Sequence, residues 1–150
     1  MRIQISTDYA IRILQYLYMH RKTLHTAMEV SQAVGITYPF FIKIANQLKK
    51  SGLLHAVQGR SGGYQLGRPA EQISVYDVFL AVEGEMCISR CLQADHACDR
   101  SVLGPCHVRS FFSGVQESLA AQMAQQNIAD LTRGACGKVR SYGQGDVSAS

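Results

Sequence analysis

The chain has 150 residues, of which 47% are hydrophobic and 17% charged, with a formal net charge of +4. This length allows one compact domain, or a small domain with a helical appendage. No run of 18 uncharged apolar residues and no N-terminal secretion signal is visible, so the sequence predicts a cytoplasmic protein with no membrane partner. In that compartment the five cysteines are expected to be ligands or sensors rather than disulfides.

Positive charge is concentrated in the first half of the chain. Residues 1–70 contain nine Lys or Arg against two acidic residues, a net of +7, whereas residues 71–150 have a net charge of −3. A basic part followed by an acidic part is typical of a polyanion-binding domain joined to a regulatory or oligomerising segment. We therefore expect double-stranded DNA as a partner of the first half, with chance clustering of the basic residues as the alternative.

A first helix is predicted near the N-terminus, because apolar residues recur at helical spacing from Ala10 to Leu17. Ser6 or Thr7 is its expected N-cap, and Asp8 lies in its first turn. A carboxylate in the first turn complements the helix dipole, so Asp8 needs no metal to explain it.

Two further helices are expected, one over 26–34 and one that begins at Thr37 or Tyr38, with Gly35 between them. The third helix places its apolar residues at helical spacing and directs its polar residues elsewhere. A helix, a tight turn and a second helix with exposed polar residues indicate a helix-turn-helix. The residues expected to contact the DNA groove or its phosphates from this helix are Tyr38, Phe40, Lys43, Lys49 and Lys50.

A β-hairpin is predicted next, from short extended segments at 53–57 and 64–66 that flank a Gly-rich turn. A hairpin directly after a helix-turn-helix is a wing. Its tip carries Arg60, with Ser61 beside it, and an arginine there is suited to a narrow minor groove. The alternative is that the glycines only permit the turn and Arg60 is a solvated surface residue. A phosphate-binding nucleotide loop is disfavoured because no Lys-Ser/Thr pair follows.

Two helices are expected after the wing. The first, over 73–82, leads out of the basic part of the chain, with Ser74 as its expected cap. The second is long enough to need a partner, and pairing with a second copy would suit a palindromic operator. The alternative is that it packs only against the winged-helix part of its own chain. Residues 134–150 are Gly/Ser-rich and are expected to form a flexible tail, in which Cys136 is an expected bystander. The apolar stripe of the long helix is Val108, Phe111, Phe112, Val115, Leu119 and Met123.

The segment between these two helices contains four cysteines, in the pattern Cys87-x3-Cys91-x6-Cys98-x7-Cys106. Structural zinc sites favour cysteine pairs two to four residues apart, so the wider gaps favour a larger inorganic core such as an iron–sulfur cluster. Zinc, or four free thiols, are the alternatives. A thiolate–imidazole pair of Cys98 with His96 or His107 would be needed for an enzyme, but no set of convergent polar groups supports one.

The chain resembles the bacterial iron–sulfur winged-helix transcriptional regulators typified by IscR and NsrR. The resemblance covers roughly residues 1–133, and the GRSGGYQLGRP wing is its most specific part. At the other end, Cys106 followed 24 residues later by Asp130 matches the third cysteine and the ADL element of the family. The other matching segments are STDYAIRIL, NQLKKSGLL and AEQISVYDV, with the downstream cysteines.

The resemblance implies a mainly α fold with a small β-hairpin wing, in which a winged helix-turn-helix is joined to a long dimerisation helix. It implies a DNA-binding head at 1–82, a cysteine-rich sensor loop at 83–106, and the dimerisation helix with a short C-terminal helix at 107–133. It further implies that Cys91, Cys98 and Cys106 hold an iron–sulfur cluster, of the 2Fe–2S or 4Fe–4S type.

The fourth cluster ligand stays open. NsrR-like members use an Asp in the first helix of the opposite subunit, which corresponds to Asp8 here. Cys87 is a second candidate, since iron prefers a soft thiolate, and His107 is a third. The cysteine gaps are wider than in the IscR branch, and Arg109 stands where that branch has its histidine ligand.

The function predicted from the sequence is therefore that of a homodimeric DNA-binding transcriptional regulator, not an enzyme. Its operator binding would be controlled by a cluster that senses iron, nitric oxide or redox state. The alternative is a cluster-free, thiol-based regulator or an interaction protein of the same fold that acts through a protein partner.

Overall fold

The computed structural model describes residues 2–94 and 105–134, and its fold is mainly helical with one two-stranded hairpin. This confirms the predicted winged-helix fold class. Cys98, His96, Cys136 and the tail beyond Gly134 lie outside the described residues. None of the described helices is apolar over a length that would cross a membrane. The elements are α1 (Ile5–Met19), α2 (Ala27–Val34), α3 (Tyr38–Lys50), β1 (Leu54–Val57), β2 (Gly63–Leu66), α4 (Val75–Glu83), α5 (His107–Gln125) and α6 (Ile128–Thr132), with 3-10 turns at Ala70–Gln72 and Arg90–Leu92.

Local capping fixes where most helices begin. Thr26 and Ser74 each form a capping box at the start of α2 and α4, in which the side chain accepts a backbone N–H three residues on and the acidic side chain there accepts the N–H of the cap. Thr37 caps α3, and Gly35 ends α2 with a φ of 77°. These boundaries agree with the sequence predictions to within a residue or two.

The start of α1 differs from the prediction. The helix begins at Ile5 with Gln4 in the cap position, and the side chain of Gln4 makes no capping hydrogen bond. Thr7, expected as a cap, lies inside the helix and is buried. Its hydroxyl donates to Glu83 at the end of α4, which also accepts the backbone N–H of Gln4 at 3.0 Å. A carboxylate from a distant helix therefore replaces the local cap.

One apolar core holds the head together. It forms where α1, α2, α3 and the hairpin meet, and its largest fully buried side chains include Ile13, Leu14, Phe41, Ile44 and Leu48. The short helix α6 contributes Ile128 and Ala129, both fully buried, to this same core. Although α6 follows α5 in the chain, its side chains thus pack in the head.

The hairpin is short, and its second strand is bonded to the turn between α1 and α2. Leu54 pairs with Leu66 and Val57 with Gly63, in antiparallel register. The turn between α1 and α2 adds a third pairing, because the backbone N–H of Tyr64 donates to the His25 carbonyl at 2.7 Å. A Cβ on Gly63 would lie 2.7 Å from that carbonyl oxygen. Glycine is thus required here by close packing.

Helix α5 is attached to the head through its C-terminal half. Met123, Leu119 and Ala120 pack against Phe79 of α4 and against Met86. Beyond the helix, the N–H of Val75 donates to the carbonyl of Gln126 at 2.8 Å, and the N–H of Ile128 donates to that of Ile73 at 2.9 Å. The N-terminal half leaves apolar side chains open to solvent: Val108 (60% exposed), Phe111 (64%) and Val115 (42%).

Candidate DNA-binding surface and cysteine site

Helix α3 has one buried and one exposed face. Phe41, Ile44 and Leu48 are fully buried, and this packing fixes the rotation of the helix about its axis. Tyr38 is 47% exposed at the first turn, and the exposed cations follow along the helix at Lys43, Lys49 and Lys50. The two terminal lysines lie in the last turn, where positive charge also complements the helix dipole.

Phe40 occupies a different environment from its neighbours in the predicted DNA-contacting set. It is half-buried, and its ring lies edge-on to Tyr9 of α1 with 5.8 Å between centroids. This contact with α1 makes Phe40 part of the edge of the core. Any contact of Phe40 with DNA would therefore be made by a side chain that also packs against α1.

The wing presents its arginine at the tip and contacts α3 through its second strand. Arg60 and Ser61 are both exposed. The ring of Tyr64 in β2 meets Phe41 edge-on at 5.1 Å, so the hairpin is packed directly against α3. Burial, with Tyr38 nearby, raises the pKa of Tyr64 above its ordinary value.

The charge of this region is of one sign. Between Glu29 and Glu71 the sequence contains no Asp or Glu, while it contains five cations. That interval includes the whole of α3 and the hairpin. Uniform positive charge on a helix-turn-helix with its wing is suited to the phosphates of a DNA duplex.

Three of the four cysteines of the sensor loop lie in the described part of the chain, and each is a half-buried free thiol. Cys87 donates its S–H to the carbonyl oxygen of Ser89 at 2.9 Å, and the Ser89 hydroxyl lies 3.2 Å from the sulfur of Cys91. Cys106 is the N-cap of α5, where its sulfur accepts the N–H of Arg109 at 3.5 Å. The cysteines thus stand at both ends of the segment that joins the head to α5.

The first part of this segment is held against α5. The N–H of Ile88 donates to the side-chain oxygen of Gln116 at 3.1 Å, and Met86 is only 3% exposed. The chemistry of the donors fits an iron–sulfur cluster, since soft thiolates are its usual ligands. Among residues 2–94 and 105–134, however, no three His, Cys, Asp or Glu side chains come close enough to hold a metal. Cys98, the remaining ligand that the family resemblance implies, lies outside the described residues.

The candidate fourth ligands occupy separate elements. Asp8 lies in the first turn of α1 and is half exposed, and its carboxylate accepts a hydrogen bond from Arg12 at 3.0 Å. His107 is the first residue of α5, exposed, directly after Cys106. Cys87 lies near Cys91 through their shared contacts with Ser89.

Two residues with long-range contacts were not found from the sequence. Glu83 accepts from the start of α1, and Gln47 of α3 donates to the carbonyl of Val82 at 3.0 Å. Both partners are more than 30 residues away, so no local spacing in the sequence marks them. A polar residue on the inward side of α3, between buried Ile44 and Leu48, is the single signal that points to Gln47.

Comparison with known proteins agrees with the geometry. The sequence matches Rrf2, described as an iron-dependent transcriptional regulator, over residues 3–134. It is 35% identical over 94 residues to Protein aau3 of Rhizobium meliloti (strain 1021), and that match covers 63% of this chain and 61% of the relative. The chain thus spans less than two thirds of that protein.

Solved structures share the fold at low sequence identity. IscR of T. potens superimposes with a TM-score of 0.67 at 21% identity, over 90% of this chain and 88% of that one. CymR of B. subtilis, titled a global cysteine regulator, gives a TM-score of 0.70 at 15% identity, over 89% and 97%. The chain belongs to the Rrf2 family, whose members are DNA-binding transcriptional regulators of the winged-helix fold and not enzymes.

Proposed function

We propose that this family member is a homodimeric regulator whose operator binding is controlled by an iron–sulfur cluster held by Cys91, Cys98 and Cys106. The observation that carries the proposal is the position of the cysteines. Cys91 and Cys106 lie on either side of the join between the DNA-binding head and α5. Ligands at that join are suited to control how the two parts are arranged.

The ends of the sensor loop are already fixed to the rest of the chain. Buried Met86 and the bond from Ile88 to Gln116 hold its first part, and Cys106 at its other end is the N-cap of α5. Ordering the residues between them costs about 1–2 kcal/mol each in backbone entropy, and metal–thiolate bonds can offset that cost. In this proposal, cluster binding supplies the free energy that holds the loop between its two fixed ends.

The cluster, when bound, would supply an inorganic core that reacts with oxidants and nitric oxide. The chain's own part is to hold the thiolates and donate hydrogen bonds to their sulfurs, as the N–H of Arg109 does to Cys106. The fourth ligand is proposed to be Asp8 of the opposite subunit, with Cys87 and His107 as the other candidates. Asp8 would exchange its contact with Arg12 for the metal.

The homodimer is proposed from the exposed face of α5. Val108, Phe111 and Val115 form an apolar stripe at helical spacing that the head leaves uncovered. A second copy presents the same stripe, and a two-fold axis through it would pair the two helices. Two heads related in this way suit a palindromic operator.

On DNA, we propose that α3 enters the major groove and the wing tip the minor groove. Tyr38, Phe40 and Lys43 would face the base edges, and Arg60 with Ser61 the minor groove. Lys49 and Lys50 would contact phosphates. A regulator of promoter DNA acts where that DNA is, so we place the protein in the cytoplasm.

Purification without oxygen tests the cofactor. A brown protein is expected, with visible absorbance and with iron and acid-labile sulfide in comparable amounts. Cys98→Ala should remove the colour and the iron, whereas Cys136→Ala, a cysteine outside the proposed ligand set, should leave both unchanged. A colourless protein without iron, isolated under these conditions, would refute the cluster.

A second candidate function is a cluster-free thiol regulator. It is supported by the proximity of Cys87 and Cys91, which both contact Ser89 on one short turn. It is also supported by the similarity in fold to a protein titled a global cysteine regulator. In that case, the colourless protein would change its DNA affinity on treatment with hydrogen peroxide, and replacement of the reactive cysteine would abolish the change.

A further inference from the structure

The junction between α4 and the sensor loop is fastened to two other helices of the head. At the end of α4, the carboxylate of Glu83 accepts hydrogen bonds from the N–H of Gln4, the N-cap of α1, at 3.0 Å and from the hydroxyl of Thr7 in its first turn. One residue earlier, the carbonyl oxygen of Val82 accepts the side-chain N–H of Gln47 at 3.0 Å. Consecutive residues of α4 are thus tied to α1 and to the helix that would enter the groove.

Gln47 makes this contact with half of its amide only. Its Nε2 donates to Val82, while its Oε1 is buried and has no hydrogen-bond partner among the residues that the structure describes. Buried polar atoms in folded proteins are nearly always paired, and an unpaired one costs free energy. The unpaired oxygen leaves the present arrangement of this junction less stable than one in which a donor reaches it.

The path from this junction to the first cysteine is short. The chain leaves α4 at Gly84, with φ 82° and ψ −146°, a conformation that is essentially restricted to glycine. An added Cβ there would meet no atom within 4 Å, so the backbone angles and not crowding require glycine. Met86 is then buried against α4 and α5, and Cys87 follows it. A displacement of the sensor loop therefore acts on Val82 through only a few residues.

We propose that Gln47 is a positioning residue that couples the sensor loop to α3, the helix proposed to enter the major groove. A shift of the loop moves the end of α4, and the bond from Gln47 to Val82 transfers that shift to α3. Lys43, proposed to face the base edges, lies on the same helix. The inference rests on the proposed sensor role of the loop, but it concerns the protein chain alone and needs no cluster. Because coupling between two sites is reciprocal, DNA held by α3 must also restrain the loop.

The test measures that reciprocal effect in the metal-free protein. Alkylation of Cys87 and Cys91 is followed by peptide mass spectrometry, with and without a DNA duplex selected from a random pool by the wild-type protein. We expect the DNA to slow alkylation at least about fivefold, the lower end of known coupling strengths. The same measurement is made on Gln47→Leu, at DNA concentrations that fluorescence anisotropy shows to be saturating for the variant. There the alkylation rates with and without DNA should become nearly equal.

Two controls separate coupling from loss of structure. Gln72→Leu makes the same chemical change at an exposed position ahead of α4 and should retain the wild-type slowing. Gln47→Met, with a flexible side chain of similar length, should behave as Gln47→Leu does, and thermal unfolding should show each variant folded. The inference is overturned if the variants retain the wild-type slowing, or if DNA does not slow the wild-type reaction. The iron content of the anaerobic protein tests the cluster separately.

Discussion

The exposed half of α5 gives the most direct prediction about assembly. Phe111 is the most exposed large side chain of the stripe formed with Val108 and Val115, at 64%. If two copies pair through this stripe, the dimer buries two Phe111 rings, one from each subunit. Phe111→Ala should then weaken the dimer without disturbing the head, because the fully buried core residues lie elsewhere.

The size of the effect follows from the exposed area. A phenylalanine side chain buries on the order of 200 Å², so an exposed fraction of 64% corresponds to roughly 130 Å² on each subunit. At about 25 cal/mol per Å² this is worth about 3 kcal/mol per subunit when fully covered. Burial is incomplete and alanine retains the Cβ, so we count half of that free energy for each subunit. The two substitutions in the dimer together should then cost about 3 kcal/mol of dimerisation free energy. The dimer dissociation constant should rise roughly 100-fold.

Sedimentation velocity over a dilution series measures that constant. The matched control is Met19→Ala, which removes a 57% exposed side chain from the last turn of α1 and should leave the constant unchanged. A wild-type protein that stays monomeric at high concentration would refute the proposed pairing. So would a Phe111→Ala protein that dimerises as tightly as wild type.

Three further predictions concern the DNA surface, the fourth ligand and the wing. Arg60→Ala should weaken operator binding by about 1–3 kcal/mol in a fluorescence titration, whereas Lys49→Ala should mainly flatten the salt dependence; wild-type affinity in Arg60→Ala would exclude a DNA contact from the wing. Asp8→Ala should lose the visible absorbance while remaining a dimer, with Cys87→Ala nearly silent, and the reverse pattern would assign the ligand to Cys87. The pKa of Tyr64 is raised in the folded state, so the phenol of the unfolded chain ionises at a lower pH than that of the folded chain. The free energy of unfolding is therefore unaffected below about pH 10 and decreases as the pH rises further. Denaturant unfolding should show wild type losing stability relative to Tyr64→Phe in that range, and parallel curves would contradict it.

Local signals in the sequence were enough to locate most of the head. Thr26 and Ser74 each stand three residues before an acidic residue, and both form the capping boxes that such a spacing favours. The apolar spacing of α3 gave its buried face, Phe41 to Leu48, because a helix that packs on a core must repeat its apolar residues every three or four positions.

Contacts between distant parts of the chain could not be predicted in the same way. Thr7 looks like a cap because it is a threonine near a helix start, yet Glu83, 76 residues away, supplies the acceptor. Likewise, α6 adjoins α5 in sequence but its Ile128 packs in the head. The cysteine spacing suggested a cluster, but spacing alone does not place thiols in space. The ligand assignments therefore stay predictions.

The way α5 is attached makes it a lever. Its C-terminal end is fixed by the backbone bonds between Val75 and Gln126 and between Ile128 and Ile73. Packing on Phe79 and Met86, with the bond from Ile88 to Gln116, holds the rest of its C-terminal half. The part that the head leaves uncovered therefore runs from Gln116 back to the end that carries Cys106, about 15 Å at 1.5 Å per residue. A tilt of this part by about 5° displaces the cysteine end by roughly 1.3 Å. In the proposed dimer, ligand distances of a few ångströms would thereby be converted into the angle between the two heads.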